Sequence, residues 1–339
     1  MNDSRHILII AEAGVNHNGS LDTALRLVDA AAAAGADIVK FQTFRAADIA
    51  TAAASKARYQ KANTGDGDDS QLAMLRRLEL SPVAHEAIMA RCAERGIRFL
   101  STAFDMASID LLHSLGISLW KIPSGEITNL PYLRRIGSLD GDVILSTGMS
   151  TLDEVEAAVT VLEKAGTPRA RITLLHCTTQ YPAPPESVNL RAMLTLSTLG
   201  CRGVGYSDHT AGIAVPVAAA ALGAAVIEKH FTLDRTMSGP DHAASLEPAE
   251  LRDMVQAVRT VEKALGSGEK IVTDAERPNM AVARKSVVAA RHIKAGEVFN
   301  AANLTTKRPG TGLNPMEWWD RLQGIPAPRD FAPDEPVEI

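Results

Sequence analysis

Short runs of β-branched and other apolar residues alternate along this chain with longer segments rich in alanine and leucine. The short runs predict eight β-strands, at 6–14, 36–43, 97–104, 119–126, 143–149, 172–178, 203–209 and 225–231. Apolar positions at helical spacing fill most of the gaps, as in 20–35 and 151–166. Ser20 and Thr151 stand where helix N-caps belong, and Gly35 and Gly166 stand at the matching helix ends.

Eight β–α repeats within about the first 265 residues predict a (β/α)₈ TIM barrel over 1–268. A doubly wound open sheet is the competing α/β arrangement, but even spacing without an edge strand favours closure. Segment 44–80 is a polar, glycine-containing insertion after the second predicted strand, and we expect a lid or substrate loop there.

The composition changes after the predicted helix at 247–265. The stretch 266–279, "GSGEKIVTDAERPN", is polar and contains glycine and proline, which predicts a linker over 269–283. Short β-like pieces follow over 284–339 and predict a small, β-rich C-terminal domain.

Composition and charge exclude some classes of partner. A net charge of −5 gives no reason to expect a nucleic acid or an anionic membrane. The longest apolar run, 213–227, is too short for a membrane helix, and the N-terminus has no signal-peptide pattern. Three cysteines without CxxC spacing are typical of reduced thiols, so we expect a soluble cytoplasmic protein.

Polar side chains gather in the last residues of several predicted strands. Alternate residues of a barrel strand face the interior, and barrel active sites lie at the C-terminal strand ends. This alternation predicts that Lys229 faces outward. The same alternation predicts that seven residues face the barrel interior: Glu12, Lys40, Gln42, Ser207, His209, Glu228 and His230.

His209 and His230 end consecutive predicted strands, whose axes would be neighbours about 4.8 Å apart. They lack the HxH or HExxH spacing of common metal motifs, so the alternative is two solvated strand ends. As a pair with carboxylates nearby, the two histidines predict a divalent metal site. We expect Mn²⁺, with Mg²⁺ or Co²⁺ as alternatives, and such an ion would act as a Lewis acid on a carbonyl group.

Lys40 and Lys121 inside a barrel need anionic partners, because an unpaired buried ammonium is costly. Glu12, Glu126 or Glu228 could supply these within the chain. The other interpretation is a phosphorylated or carboxylated ligand, which Ser124 and Ser146 in "KIPSGE" and "LSTGM" would also bind.

Several longer motifs carry a resemblance to a known family: "AEAGVNHNGS" (11–20), "VKFQTF" (39–44), "WKIPSGEITNLPYL" (120–133), "GYSDHTAG" (205–212), "IEKHFTLDRTMSGPDHAASLEP" (227–248) and "TKRPGTG" (306–312). The chain resembles, over nearly its whole length, the sialic acid synthases, which use phosphoenolpyruvate to make nonulosonic acids. That family has a TIM barrel followed by a C-terminal antifreeze-like (SAF) domain.

The resemblance implies condensation of phosphoenolpyruvate with an open-chain, N-acylated mannosamine-type sugar, with release of phosphate by C–O cleavage. It implies that His209 and His230 bind the metal, with Glu12 and Glu228 beside the reacting centre. It assigns phosphoenolpyruvate to Lys40, Thr102, Lys121, Ser124, Ser146 and Ser207, and the sugar to Gln42, Tyr181 and Asp241. Arg308 matches an arginine that one subunit inserts into its partner's site, which implies a domain-swapped homodimer.

Thr179 departs from the asparagine that some sialic acid synthases have after "HCT". We expect N-acetylneuraminate synthesis, with N,N'-diacetyllegionaminate synthesis from 2,4-diacetamido-2,4,6-trideoxymannose as the alternative. A barrel synthase acting on a sugar phosphate would leave the C-terminal domain unexplained. A non-catalytic carbohydrate-binding protein would not need two lysines and two histidines at one rim.

Overall fold

The computed structural model describes residues 6–65 and 67–339. All eight predicted barrel strands form. The strands are β1 (Leu8–Gly14), β2 (Ile38–Thr43), β3 (Arg98–Ala103), β4 (Leu119–Ile122), β5 (Asp142–Ser146), β6 (Ile172–Cys177), β7 (Gly203–Asp208) and β8 (Val226–His230). They run parallel in the order β3-β2-β1-β8-β7-β6-β5-β4 and form a nearly closed TIM-type barrel.

Helices connect these strands or stand in insertions between them. They are α1 (Leu21–Ala34), α2 (Ala46–Ile49), α3 (Arg58–Thr64), α4 (Gln71–Arg76), α5 (Pro82–Arg95), α6 (Met106–Ser114), α7 (Leu130–Gly137), α8 (Leu152–Ala165), α9 (Ala192–Ser197), α10 (Ala214–Ala221) and α11 (Pro248–Leu265).

The capping signals read from the sequence are confirmed at α1 and α8. The Ser20 hydroxyl accepts the Thr23 amide, and Gly35 ends α1 in the left-handed conformation at φ 82°. Thr151 and Glu154 form a reciprocal capping box at the start of α8. These caps fix where each helix begins and ends relative to the strand beside it.

The barrel interior is built in layers that follow the two-residue period of the strands. An apolar layer fills one end of the barrel. It consists of Ile10, Ile38, Leu100, Leu119, Ile144, Leu175 and Val226, with Gly205 on β7. Gly205 is required there, because a Cβ atom would lie 2.3 Å from the Val226 carbonyl oxygen. The apolar layer therefore closes the barrel beneath the side chains that lie two residues later on each strand.

Segment 44–80, predicted as a loop, contains the three short helices α2, α3 and α4. Buried apolar residues hold it against the barrel end, namely Val15, Phe44, Met74 and Leu78. Two hydrogen bonds also tie it to the segment after β8: Asn63 Nδ2 donates to the Pro240 carbonyl, and Ser238 Oγ donates to the Thr64 carbonyl.

The chain divides into two compact units, the second being Gly268–Ile339. This second unit contains α12 (Arg277–Ala283), within the predicted linker 269–283, and the antiparallel pair β9 (Ser286–Ala289) and β10 (Leu304–Lys307), followed by α13 (Pro315–Leu322). Val287, Phe299, Phe331 and Leu322 form part of its own small core. No helix in the described parts of the chain combines the length and apolarity that a membrane crossing requires.

Candidate active site

A layer of polar side chains lies directly above the apolar layer, two residues further along each strand. We call it the polar layer, and its members are Glu12, Lys40, Thr102, Lys121, Ser146, Cys177, Ser207 and Glu228. All are buried, yet all line one cavity of about 460 Å³. Every strand of the barrel thus changes from apolar to polar at the same height.

Four charges of alternating sign cross the polar layer. Lys40 Nζ lies 2.8 Å from Glu12 Oε2 and 3.6 Å from Glu228 Oε2. Lys121 Nζ lies 3.5 Å from Glu228 Oε1 on the other side. The partners of the two lysines are thus Glu12 and Glu228, two of the three carboxylates that the sequence offered. Glu126 is not among them. Each lysine also faces the cavity, where a ligand anion could contact it.

The two carboxyl groups differ in their pKa values. Burial raises the pKa of Glu12 to about 7, with Lys40 opposing and Glu228 adding to the shift. Burial acts on Glu228 too, but Lys121 and Lys40 outweigh it and lower its pKa to about 2. Glu228 therefore favours its ionised form between two cations, whereas burial favours the protonated form of Glu12 more than in an exposed carboxyl group.

Hydroxyl groups and close backbone approaches surround Lys121. Its Nζ donates to Ser146 Oγ at 2.7 Å, and the Gly148 amide donates to Ser124 Oγ at 2.9 Å. A Cβ atom on Gly148 would lie 2.9 Å from Ser124 Oγ and from Cys177 Sγ. Only glycine lets the β5–α8 connection approach this closely, and the result is a compact pocket of donors suited to an anionic group.

His209 and His230 stand at the top of the cavity with their ring centroids 5.6 Å apart. Burial lowers the pKa of both imidazoles, most strongly that of His230. His209 Nδ1 contacts the Thr178 carbonyl at 2.6 Å, so Nδ1 carries the proton and Nε2 keeps its lone pair. The Tyr181 ring packs against His209 at 4.1 Å between centroids.

These histidines fit the chemistry of a divalent metal site. Neutral imidazoles are the form that binds a metal, and His230 Nδ1 is buried without a hydrogen-bond partner. Across the described residues, no three His, Cys, Asp or Glu side chains converge on one point. The protein would therefore contribute two ligands, and substrate oxygens or water would fill the remaining positions.

The structure brings fourteen of the fifteen predicted site residues to the same cavity. Those outside the polar layer are Gln42, Ser124, Thr179, Tyr181, His209, His230 and Asp241. Arg308 is the exception, because it lies in the second unit directly after β10, exposed, with Nε donating to the Ala283 carbonyl. Lys229 faces away from the cavity as predicted and pairs with Asp208, both side chains being fully buried.

Asp241 lies in a segment that a buried polar network holds in place. Ser245 Oγ donates to the Asp241 carbonyl, and Asn16 Nδ2 donates to Ser245 Oγ and to the Phe231 carbonyl. His242, the next residue, contacts Asn18 Oδ1 at 3.2 Å. Burial raises the pKa of the Asp241 carboxyl group to about 6. The "NHN" segment at 16–18 therefore fixes the connection that carries Asp241.

One side of the cavity is apolar, a feature that the strand pattern of the sequence does not predict. Ile49, Leu75 and Phe104 line it together with the buried residues of segment 44–80. The one available signal was the spacing of Met74, Leu75 and Leu78, which is typical of one apolar helical face, although α4 ends at Arg76 and Leu78 follows it.

Comparison with known proteins gives consistent matches over both units. Residues 27–270 match the NeuB family, and residues 284–338 match the SAF domain. The chain is 52% identical to N,N'-diacetyllegionaminic acid synthase of Campylobacter jejuni, over 97% of this chain and 98% of that protein. It is 49% identical to the protein of the same name from Legionella pneumophila, over 91% and 87%.

A solved structure of N-acetylneuraminic acid (sialic acid) synthetase from Leptospira borgpetersenii, in complex with citrate, has a similar fold. The TM-score is 0.71 at 33% identity, and the match covers 82% of this chain and 91% of that one.

Proposed function

The chain belongs to the NeuB family of nonulosonic acid synthases, and we propose that it condenses phosphoenolpyruvate with open-chain 2,4-diacetamido-2,4,6-trideoxymannose to give N,N'-diacetyllegionaminate. The observation that carries the reaction is the polar layer, where Lys40 and Lys121 flank Glu228 and face the cavity beneath two neutral imidazoles.

Phosphoenolpyruvate is compact and carries its charge on a phosphate and a carboxylate. Lys40 and Lys121 supply cations for these groups, and Ser124, Ser146 and Ser207 supply hydroxyl donors, with Thr102 beside Lys40. The Lys121–Ser146 hydrogen bond and the small Gly148 support a phosphate at this end of the cavity.

The acceptor sugar lies above phosphoenolpyruvate, toward the mouth of the cavity. Gln42, Thr179, Tyr181 and Asp241 are the polar groups that orient it. His209 and His230 would hold the divalent metal, Mn²⁺ being our first choice. When bound, this ion polarises the aldehyde oxygen of the acceptor as a Lewis acid.

The reaction forms one bond between carbons and breaks one bond between carbon and oxygen. Carbon 3 of phosphoenolpyruvate attacks the aldehyde carbon, and the aldehyde oxygen takes a proton to become a hydroxyl group. Water adds at carbon 2, loses a proton, and phosphate leaves with its bridging oxygen. Glu12, with a pKa of about 7, is the group we assign to order this water and to exchange protons. The two lysines lower the pKa of Glu228 and favour its ionised form, which pairs with both of them.

The choice of sugar is supported by the two relatives named N,N'-diacetyllegionaminic acid synthase, at 52% and 49% identity. N-acetylmannosamine, giving N-acetylneuraminate, is the second candidate, because the Leptospira relative of known structure is named for that product.

We also propose that the working unit is a homodimer in which Arg308 of one subunit completes the site of the other. The exposed position of Arg308 directly after β10 supports this proposal. All three cysteines are free thiols, which supports a reducing compartment, the cytoplasm.

The test is phosphate release from phosphoenolpyruvate, measured with each candidate sugar and with the sugar omitted, together with the mass of the product. We expect turnover that requires both an acceptor and a divalent metal, and a product mass that corresponds to N,N'-diacetyllegionaminate. Faster turnover of N-acetylmannosamine than of the diacetamido sugar would overturn the proposed acceptor.

A further inference from the structure

The cavity has one side that neither phosphoenolpyruvate nor a metal ion requires. We call it the apolar wall and define it as Ile49, Leu75 and Phe104, three half-buried residues that line the cavity. Ile49 ends α2, Leu75 lies on α4, and Phe104 directly follows β3. The wall therefore belongs to segments that follow the strand ends, on the side of the cavity opposite the apolar layer.

The wall residues pack on one side against the small core that fastens segment 44–80, and on the other side they line the cavity. Val15, Phe44, Met74 and Leu78 form that core and are buried, whereas the three wall residues are only half-buried. Phe104 touches that core edge-on, with 6.3 Å between its ring centroid and that of Phe44. The half-buried wall residues leave apolar area facing the cavity, and covering such area with an apolar group is favourable.

We propose that the apolar wall binds the deoxygenated carbon-6 end of the acceptor sugar and thereby selects 6-deoxy over 6-hydroxy acceptors. The inference rests on the proposed function. The aldehyde end of the sugar must reach the polar layer, because carbon 3 of phosphoenolpyruvate attacks it there. The opposite end of the open chain then lies away from the polar layer, on the side of the cavity that Ile49 and Leu75 line from segment 44–80.

The selection would depend on whether carbon 6 of the acceptor is a methyl group or carries a hydroxyl group. A carbon-6 methyl covers the wall and leaves no polar atom without a partner. A carbon-6 hydroxyl placed against Ile49, Leu75 and Phe104 loses hydrogen bonds to water that these side chains cannot replace. Differences of this kind in an apolar pocket correspond to about 10- to 100-fold in kcat/KM.

The sharpest test uses two acceptors that differ only at carbon 6: 2-acetamido-2,6-dideoxymannose and N-acetylmannosamine. For the wild-type protein we expect kcat/KM to be at least about 10-fold higher for the 6-deoxy sugar. In Leu75→Gln, whose amide can pair with a hydroxyl group, the ratio should fall toward one while KM for phosphoenolpyruvate stays unchanged. Leu194→Gln makes the same change at an exposed leucine on α9 and should keep the wild-type ratio.

Ile49→Asn is the second variant and gives an independent reading if Leu75→Gln does not fold. Equal efficiency for the two acceptors in the wild type would overturn the inference, and so would an unchanged ratio in the variants. These outcomes differ from failure of the proposed function, which would appear as no phosphate release with any acceptor of the N-acylated mannosamine class.

Discussion

Lys121 on β4 and Glu228 on β8 meet across the interior of the barrel, with 3.5 Å between Nζ and Oε1. Their strands lie four places apart in the ring of eight, so the pair spans its width. An ion pair this deep has lost most of its hydration, and removing one partner is strongly destabilising. The same ammonium group faces the cavity, so Lys121 contacts Glu228 and is also accessible to a ligand anion.

We expect Lys121→Met to destabilise the protein by about 3 kcal/mol, because Glu228 keeps only Lys40 as a cationic partner. Affinity for phosphoenolpyruvate should also fall, by about 10-fold or more, since a charge-assisted contact is lost. Urea unfolding and calorimetric titration with phosphoenolpyruvate measure the two effects separately.

The double variant Lys121→Met/Glu228→Gln separates the two roles of this lysine. Removing both charges should restore much of the unfolding free energy without restoring phosphoenolpyruvate binding. If binding returned together with stability, Lys121 would have no direct role toward the ligand.

The metal assignment is tested on stability as well as on activity. Adding Mn²⁺ at 100 times its Kd to metal-free protein should stabilise the wild type by about 2.7 kcal/mol. The variant His209→Ala/His230→Ala should show no such gain and no phosphate release. His113→Ala, which removes an exposed histidine, should behave like the wild type. An equal Mn²⁺ effect in the double variant would show that the ion binds elsewhere.

Subunit exchange tests the role of Arg308. Arg308→Ala retains the histidine pair, and His209→Ala/His230→Ala retains the arginine, so each homodimer alone should be inactive. After equal mixing, half of the dimers carry one complete site if the arginine acts across subunits, which predicts roughly a quarter of the wild-type rate. No recovery after verified exchange would place Arg308 in its own subunit's site or outside the reaction.

Two buried histidines make the stability of the barrel unit sensitive to acid. Burial lowers the pKa of His17 and of His242 to about 4, from an ordinary value of 6.5. Between pH 6.5 and pH 4 these histidines bind protons in the unfolded chain but not in the folded chain. Their contribution to the free energy of unfolding is therefore fully present above pH 6.5 and is lost as the pH falls toward 4. The loss is at most about 3 kcal/mol for each histidine.

Urea unfolding between pH 8 and pH 4 measures this dependence. His242→Gln should have a flatter profile than the wild type, whereas the same change at the exposed His113 should leave the slope unaltered. Identical slopes in all three proteins would contradict the assignment.

The strands and their inward residues were predictable because a two-residue period is a local property of the sequence. Ile10 and Glu12, or Val226 and Glu228, already show the change from apolar to polar at the end of a strand. The joint position of His209 and His230 needed one further step, the adjacency of consecutive strands in a barrel.

Contacts between distant segments could not be predicted in this way. Nothing local distinguishes Glu228 from Glu126 as the partner of Lys121, because that choice depends on which strands face each other across the ring. Helix α3 occupies a segment rich in polar residues, where propensity is weak and contacts such as that of Asn63 with the Pro240 carbonyl contribute to its placement.

The pair formed by Lys229 and Asp208 has a significance beyond its burial. Each of these residues immediately precedes a histidine of the cavity, and the two are register partners between β7 and β8. This ion pair on the outer face of the sheet therefore helps to fix the distance between the two imidazole rings on the inner face. A substitution at Asp208 would therefore change the distance between the His209 and His230 rings, although the Asp208 side chain lies on the opposite face of the sheet.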